Sequence, residues 1–240
     1  MFEDIKKFRH EHKYIEPEIN LVGMQQRLGA LMKKDPHVSE KGYYSIRSLY
    51  FDDYRDRFLN ENIDGVDERS KWRIRIYDRS SDRISLERKI RKSDLISKQS
   101  CVIDICTYEK LLDKTAKIDE DNPPLLNLFI KEIRTSGLHP AVIVEYERIP
   151  FVHSSGNTRV TIDRNIRSSS EIGEFLEDMQ LNARPVLPKG YNLIEVKYDA
   201  FLPDQIAHAT EHGRMRRETF SKYYLARKFP YNGIPHRQIR

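Results

Sequence analysis

Arginine and lysine recur at alternate positions in several short segments of this chain, and that spacing decides what they can do. In KWRIRIYD, Lys71, Arg73, Arg75 and Tyr77 share one side of an extended strand while Trp72, Ile74 and Ile76 share the other. In ISLERKIR, Glu87, Lys89 and Arg91 lie together opposite Leu86 and Ile90, with Arg88 as the exception. RHEHK sets Arg9, Glu11 and Lys13 on one side, TRVTID sets Arg159, Thr161 and Asp163 opposite Val160 and Ile162, and LIEVKYD sets Glu195, Lys197 and Asp199 opposite Ile194, Val196 and Tyr198. In AVIVEYER, Arg148 falls with Val144 and Tyr146, so alternation gives no clean basic face there. Guanidinium groups match phosphate oxygens two at a time and ammonium groups act as point charges, so a concave surface built from these residues suits phosphoanions.

One explanation of such faces is an open sheet with a solvated side, its cations paired across strands with Glu87, Glu145, Glu195 and similar partners. Against it, Arg73-x-Arg75 places two guanidinium groups on one side with no acid between them. Two like charges ~7 Å apart at an effective dielectric of ~20 repel by about 2 to 3 kcal/mol before salt screening, so something anionic should offset them. Eight strands can close a barrel whose interior is just wide enough for side chains or one narrow ligand. With the charged face inward the interior is a basic channel, and it is wet, because stripping unpaired cations of water costs several kcal/mol each. An elongated polyanion satisfies that arrangement.

Eight stretches alternate with period two and are rich in β-branched and aromatic residues: residues 8–15, 43–51, 71–78, 84–91, 100–105, 141–151, 158–163 and 192–199. RSSD (79–82) reads as a tight hairpin turn. Helical patterns lie between them: Leu21, Met24, Leu28, Leu31 and Met32, closed by Asp35-Pro36; Leu125, Phe129 and Ile133, entered through Pro123-Pro124 and ended by Gly137; and shorter ones after Thr107 as N-cap, from Pro203 to Gly213 and from Glu218 to Lys228. Strands dominate and helices interrupt them irregularly, which predicts an α+β fold: an antiparallel eight-stranded closed barrel, a tunnel, with helices outside. No linker, repeat or low-complexity tract divides the chain, so one domain over residues 1–240 is expected.

The composition fits that picture. Among 240 residues, 42 Lys+Arg against 37 Asp+Glu leave a formal charge of +5, and 13 Tyr, 10 Phe and 1 Trp supply core material with only 10 Gly and 11 Pro. These figures exclude a disordered or collagenous chain. No apolar run reaches the ~18 residues of a membrane span, and the opening segment lacks a secretory leader, so a cytoplasmic location is expected. Cys101 and Cys106 read as reduced core residues, on opposite faces if CVIDIC is a strand. His208 and His212 stand at i, i+4 without the Glu of a zinc-protease motif, and an exposed helix face explains them. Nucleic acid is not expected as a partner, because +5 is a modest excess and the cations sit on strand faces.

The segments RHEHKY, SIRSLYFDD, KWRIRIYD, LERK, VIVEYER, TRVTIDRNI, LIEVKYD and SKYYLAR, in this order from residue 9 to 227, resemble the VTC domain, the catalytic domain of polyphosphate polymerases within the triphosphate tunnel (CYTH-like) superfamily. The resemblance implies that Arg9, Lys13, Arg73, Arg75, Lys89, Arg148 and Arg159 hold phosphates, with Lys197 as an additional contact and Lys222 as an exposed lysine near the tunnel mouth. A bulge in its strand would bring Arg148 onto the charged face. Glu195 resembles the family's metal carboxylate, which would hold Mn²⁺ or Mg²⁺ together with phosphate oxygens and water. The implied reaction moves the γ-phosphoryl group of ATP onto a growing polyphosphate chain. Tunnel triphosphatases open with Glu-x-Glu-x-Lys, whereas here the stretch is Arg9-His10-Glu11-His12-Lys13, and the lost acid favours polymerase over metal-activated hydrolysis. A triphosphatase of the same fold and a non-catalytic polyphosphate-binding module are the alternatives. Membrane association would come through a partner, such as one that receives or exports the product.

Overall fold

The computed structural model of the protein describes residues 8–38, 40–211 and 215–228. Strands β1 (Arg9–Pro17), β2 (Lys33–Lys34), β3 (Tyr44–Asp52), β4 (Arg69–Tyr77), β5 (Ser80–Lys92), β6 (Leu95–Ile103), β7 (His139–His153), β8 (Thr158–Ser169), β9 (Arg184–Pro185) and β10 (Tyr191–Tyr198) form one sheet. Eight of them close into an antiparallel barrel in the order β7-β3-β4-β5-β6-β1-β10-β8, with β8 pairing back onto β7. The two-residue strands β2 and β9 add to β7 and β8. Each of the eight expected stretches forms one barrel strand, so the α+β tunnel architecture is the observed one.

The barrel carries its apolar side outward, and helices cover it. Phe129 of α4 (Pro124–Ser136) meets the rings of Phe51 and Trp72 at centroid distances of 5.0 and 4.9 Å. On the opposite wall, Leu21, Met24 and Leu28 of α1 (Glu18–Leu31) pack with Ile149, Phe151, Val160, Ile162, Ile194 and Val196, joined by Ile206 and Ala209 of α5 (Asp204–Thr210). Each fully buried side chain of this size stabilises the fold by about 1.5 to 3 kcal/mol. The strands therefore gain their hydrophobic burial on the outside, which leaves the inner face free to be polar.

Several local expectations are corrected. The hairpin between β4 and β5 turns on Asp78 and Arg79, both with positive φ (48° and 57°), rather than on RSSD as a whole; a two-residue turn of this hand matches the strand twist. Helix α3 (Ile105–Leu112) is capped by Asp104, whose carboxylate accepts from Thr107 N at 2.7 Å, so Thr107 lies inside the helix. That cap ends β6 at Ile103 and carries Cys106 onto an exposed helix position; only Cys101 stays half-buried on the strand. His208 is exposed on α5, and His212 lies outside the described residues.

A helix the pattern did not announce, α2 (Arg57–Ile63), follows β3. Its start is satisfied by the strand before it: Asp52 accepts from Phe58 N at 2.9 Å and Leu59 N at 3.1 Å, and Asp53 accepts from Arg55 N and Arg57 N at 2.9 and 3.1 Å. The final helix, α6 (Lys222–Lys228), begins four residues later than Glu218. The residues before it bridge a gap in the wall, because among the described residues β1 pairs with β6 only through Arg9–Ile96 and His10–Leu95. Beyond that pair, Glu218 N donates to Lys13 O at 2.8 Å, and the chain passes on into α6 at the barrel end.

Candidate functional site

The inner face of the barrel encloses a channel of about 430 Å³. Among the described residues, thirteen Arg and Lys side chains from seven strands and α6 line it, against two carboxylates, Glu11 and Glu195. All ten residues singled out from the sequence are on this lining: Arg9, Lys13, Arg73, Arg75, Lys89, Arg148, Arg159, Glu195, Lys197 and Lys222. Lys222 is the first residue of α6 and is 8% exposed, so it is buried in the channel end, not exposed at a mouth.

β7 does carry an extra residue, Ala141, between the pairs Tyr50–Val142 and Phe51–Pro140, but from Val142 to Arg148 its alternation is unbroken, so Arg148 reaches the lining on the same side as Tyr146. A second extra residue is in β8, where Asn165 adopts φ 51° between the pairs Glu145–Arg167 and Glu147–Arg164. Tyr146 and Arg148 both face the channel, as do Tyr44, Ile46 and Tyr50 of β3 opposite. The face that alternation could not classify is therefore a mixed one, aromatic along β3 and β7 and cationic elsewhere.

Counter-charges come across strands. Glu87, opposite Arg73, receives its Nε at 2.7 Å, with Arg73 Nη2 at 2.6 Å, Arg75 Nη1 at 3.5 Å and Lys98 Nζ at 2.8 Å. The Arg73–Arg75 repulsion is thus offset by an acid of the next strand. Asp163 takes Arg148 in a two-point fork, 2.7 Å on each oxygen, and Lys222 at 2.7 Å. Glu195 contacts Arg148 at 3.0 Å, Lys197 at 3.1 Å, Lys222 at 3.1 Å and Lys13 at 3.9 Å, while Glu11 contacts Lys89 at 2.6 Å, Lys197 at 3.3 Å and Lys13 at 3.7 Å. Burial alone would raise these carboxyls, but the surrounding cations outweigh it and hold Glu11, Glu87 and Glu195 well below the usual carboxylate range. Arg9 pairs with Asp199 at 2.8 Å, and Arg159 donates to Asp35 at 2.7 Å and Tyr44 OH at 2.8 Å.

The thirteen lining cations outnumber these six acids by about two to one. Arg75 is held mainly by neutral groups, Ser48 Oγ at 3.2 Å and Tyr146 OH at 3.4 Å. Burial, followed by the neighbouring Lys13 and Lys197, outweighs Glu11 and draws Lys89 down to about 7. The Tyr50 hydroxyl shows the same field: burial would raise it, yet Arg73, Arg75 and Lys222 shift it downward. Four lining cations had not been assigned a role from sequence: Arg69, Lys71, Arg91 and Lys98. Lys71 and Arg91 stood in the alternating series, whereas Arg69 and Lys98 lie beyond the strand ends that the pattern marked.

A family model, the VTC domain, matches residues 8–231. The chain belongs to the VTC domain family. No curated protein matches it in sequence. Among solved structures this VTC domain is similar to a candidate adenylate cyclase of Bacillus halodurans (13% identity, 85% of each chain covered, TM-score 0.47). It is also similar to a protein of Pyrococcus horikoshii (15%, 84% of this chain and 83% of that one, 0.43) and to the Mimivirus capping enzyme triphosphatase (11%, 81% and 82%, 0.37).

The donor set does not fit a resident divalent ion. Both oxygens of Glu195 and of Asp163 are engaged by cationic side chains, and Glu11 holds Lys89 on Oε2, while its buried Oε1 accepts no hydrogen bond and faces Lys197 Nζ at 3.3 Å, one open oxygen where an ion needs several. Among the described residues no group of three or more His, Cys, Asp or Glu is placed to hold a metal. A hard cation needs about six oxygen ligands, and here it would meet ammonium groups instead.

Proposed function

We propose that this VTC domain is an ATP–polyphosphate phosphotransferase whose channel holds the linear anion along its cationic walls. The observation that carries this reading is the imbalance of the enclosed lining, thirteen described cations against two lining carboxylates and the four further acids, Glu87, Asp163, Asp199 and Asp35, that pair with them. A terminal oxygen of the chain attacks the γ-phosphorus of ATP in line, the bond from that phosphorus to the β–γ bridging oxygen breaks, and ADP leaves. Such a transfer needs positioning and charge neutralisation more than covalent help from the protein. Arg73 and Arg75 would neutralise equatorial oxygens, with Lys89, Arg159, Lys13, Lys197 and Arg9 along the anion's path. The divalent ion, Mn²⁺ or Mg²⁺, travels with the nucleotide's phosphates and is part of the substrate. Arg148, Lys222 and Glu195 form a charged cluster that fixes the end of the channel.

Transfer is favoured over hydrolysis by the state of the acids. Water attack would call for a free carboxylate or a metal-held hydroxide, and Glu11 and Glu195 are both occupied by lysines. The pure protein, incubated with ATP and Mn²⁺, should yield a polyphosphate ladder on a stained gel with little free phosphate. Phosphate without a ladder would assign a triphosphatase, and tight tripolyphosphate binding without turnover would assign a binding module. Arg73→Ala and Glu195→Ala should each abolish the ladder; wild-type rates in both would overturn the site.

A further inference from the structure

Lys71 stands directly across from Lys89 in the β4–β5 pair, two residues before Arg73. Its Nζ donates to Asn62 Oδ1 at 2.7 Å and Ser221 Oγ at 2.8 Å, and lies 5.6 Å from the centre of the Tyr223 ring. All three partners are uncharged, and Lys71 forms no ion pair among the described residues. The Ser221 hydroxyl is itself fixed by accepting from Tyr224 N at 3.1 Å. The charged groups around the amine are Lys13 and Glu11 from β1, Lys89 from β5 and Arg69 from its own strand. Helix α2 presents only Asn62, and the segment entering α6 presents Ser221 and Tyr223. Burial and the three cations hold the amine well below the ordinary lysine range, with Glu11 alone opposing them.

We propose that Lys71 is a proton-coupled phosphate contact, held by uncharged partners in the empty channel and gaining proton occupancy when a polyphosphate oxygen comes within reach. This rests on the reading of the channel as a polyphosphate site. The proton comes from solvent, at most one for each chain bound, and no phosphate bond changes. Two neutral acceptors hold the amine in place, so its position does not depend on its charge. Arg73 and Arg75 cannot behave this way, because a guanidinium keeps its proton throughout. The consequence is a channel that carries less self-repulsion when empty and reaches full charge only when filled. Above neutrality, binding should weaken as pH rises, since each bound chain then brings in up to one proton.

Metal-free inorganic tripolyphosphate is the probe, titrated calorimetrically at pH 8 in two buffers of different ionisation enthalpy. Wild type and Lys71→Arg are compared, so that protons gained or lost by the ligand itself cancel. Wild type should take up more protons per bound tripolyphosphate than Lys71→Arg, by up to about one, and its Kd should rise by up to about tenfold more per pH unit. Equal uptake in the two proteins overturns the proposal. Lys71→Met supplies the same comparison if the arginine does not fold, as judged by thermal unfolding, and it should lose both the extra proton and affinity. Absence of tripolyphosphate binding to wild type would defeat the channel reading as well, whereas binding with unchanged uptake defeats only the role of Lys71.

Discussion

Two arginines of the channel, Arg148 and Arg75, separate a structural use of positive charge from a binding one. Arg148 is locked by a two-point fork to Asp163 and a third contact to Glu195, whereas the closest carboxylate contact of Arg75 is 3.5 Å long. Removing one partner of a buried pair leaves the other uncompensated, at a cost of about 3 to 5 kcal/mol. Arg148→Met should therefore lose stability of that order in chemical denaturation. Arg75→Met should unfold close to wild type and bind tripolyphosphate much more weakly; the reverse pattern would exchange the two roles. Alternation along each strand sufficed to place Arg73, Arg75, Lys89 and Arg159 on one surface. It could not name their counter-ions, because Glu87 meets Arg73 and Asp163 meets Arg148 through cross-strand register, which a single sequence does not state.

At the scale of elements, the helices legible in sequence were those with a broad apolar stripe, such as α4. Helix α2 has only Phe58 and Leu59 buried and owes its start to carboxylates at the end of β3, so no periodic signal marks it. The FDD of SIRSLYFDD thus has a local structural purpose, and it extends to α6. The Tyr223 hydroxyl donates to Asp52, and burial together with that carboxylate pushes its pKa up, so it remains a donor. Arg227 adds a bond to Asp56 at 2.5 Å. Helix α6 and the segment before it bring Phe220 O, Ser221 and Lys222 to the channel, where they meet Lys13, Lys71 and Glu195. Tyr223→Phe should cost about 1 to 3 kcal/mol, since Asp52 then loses a buried partner. Hydrogen exchange over residues 222–228 should quicken, and polyphosphate synthesis should fall although no group facing the phosphate has changed. Unaltered exchange in that helix would show that α6 is held by packing alone.

For the molecule as a whole, the formal charge of +5 says little, because what matters is where the charge lies. A barrel with its apolar face outward concentrates cations inside, and the empty channel is a source of instability that the outer helices offset. The pH dependence follows in sign. Lys71 lies well below the lysine range and Lys89 near 7, whereas the unfolded chain keeps those protons to about pH 10.4. Between pH 7 and 9 the unfolded state binds more protons, so unliganded stability should rise with pH. The channel carboxylates, whose pKa values are lowered, are ionised in both states there and contribute no slope. Tripolyphosphate should flatten the trend: a ligand at about 100 times its Kd adds about 2.7 kcal/mol, and that gain should shrink as pH or salt concentration rises. Mn²⁺ alone should leave the unfolding temperature unchanged, because Glu11, Glu87, Asp163 and Glu195 in the channel each already lie against lysine or arginine. Thermal unfolding across this grid of pH, salt, tripolyphosphate and Mn²⁺ checks all three effects, and stabilisation by Mn²⁺ without phosphate would mean that Glu195 does leave its cationic partners for a resident ion.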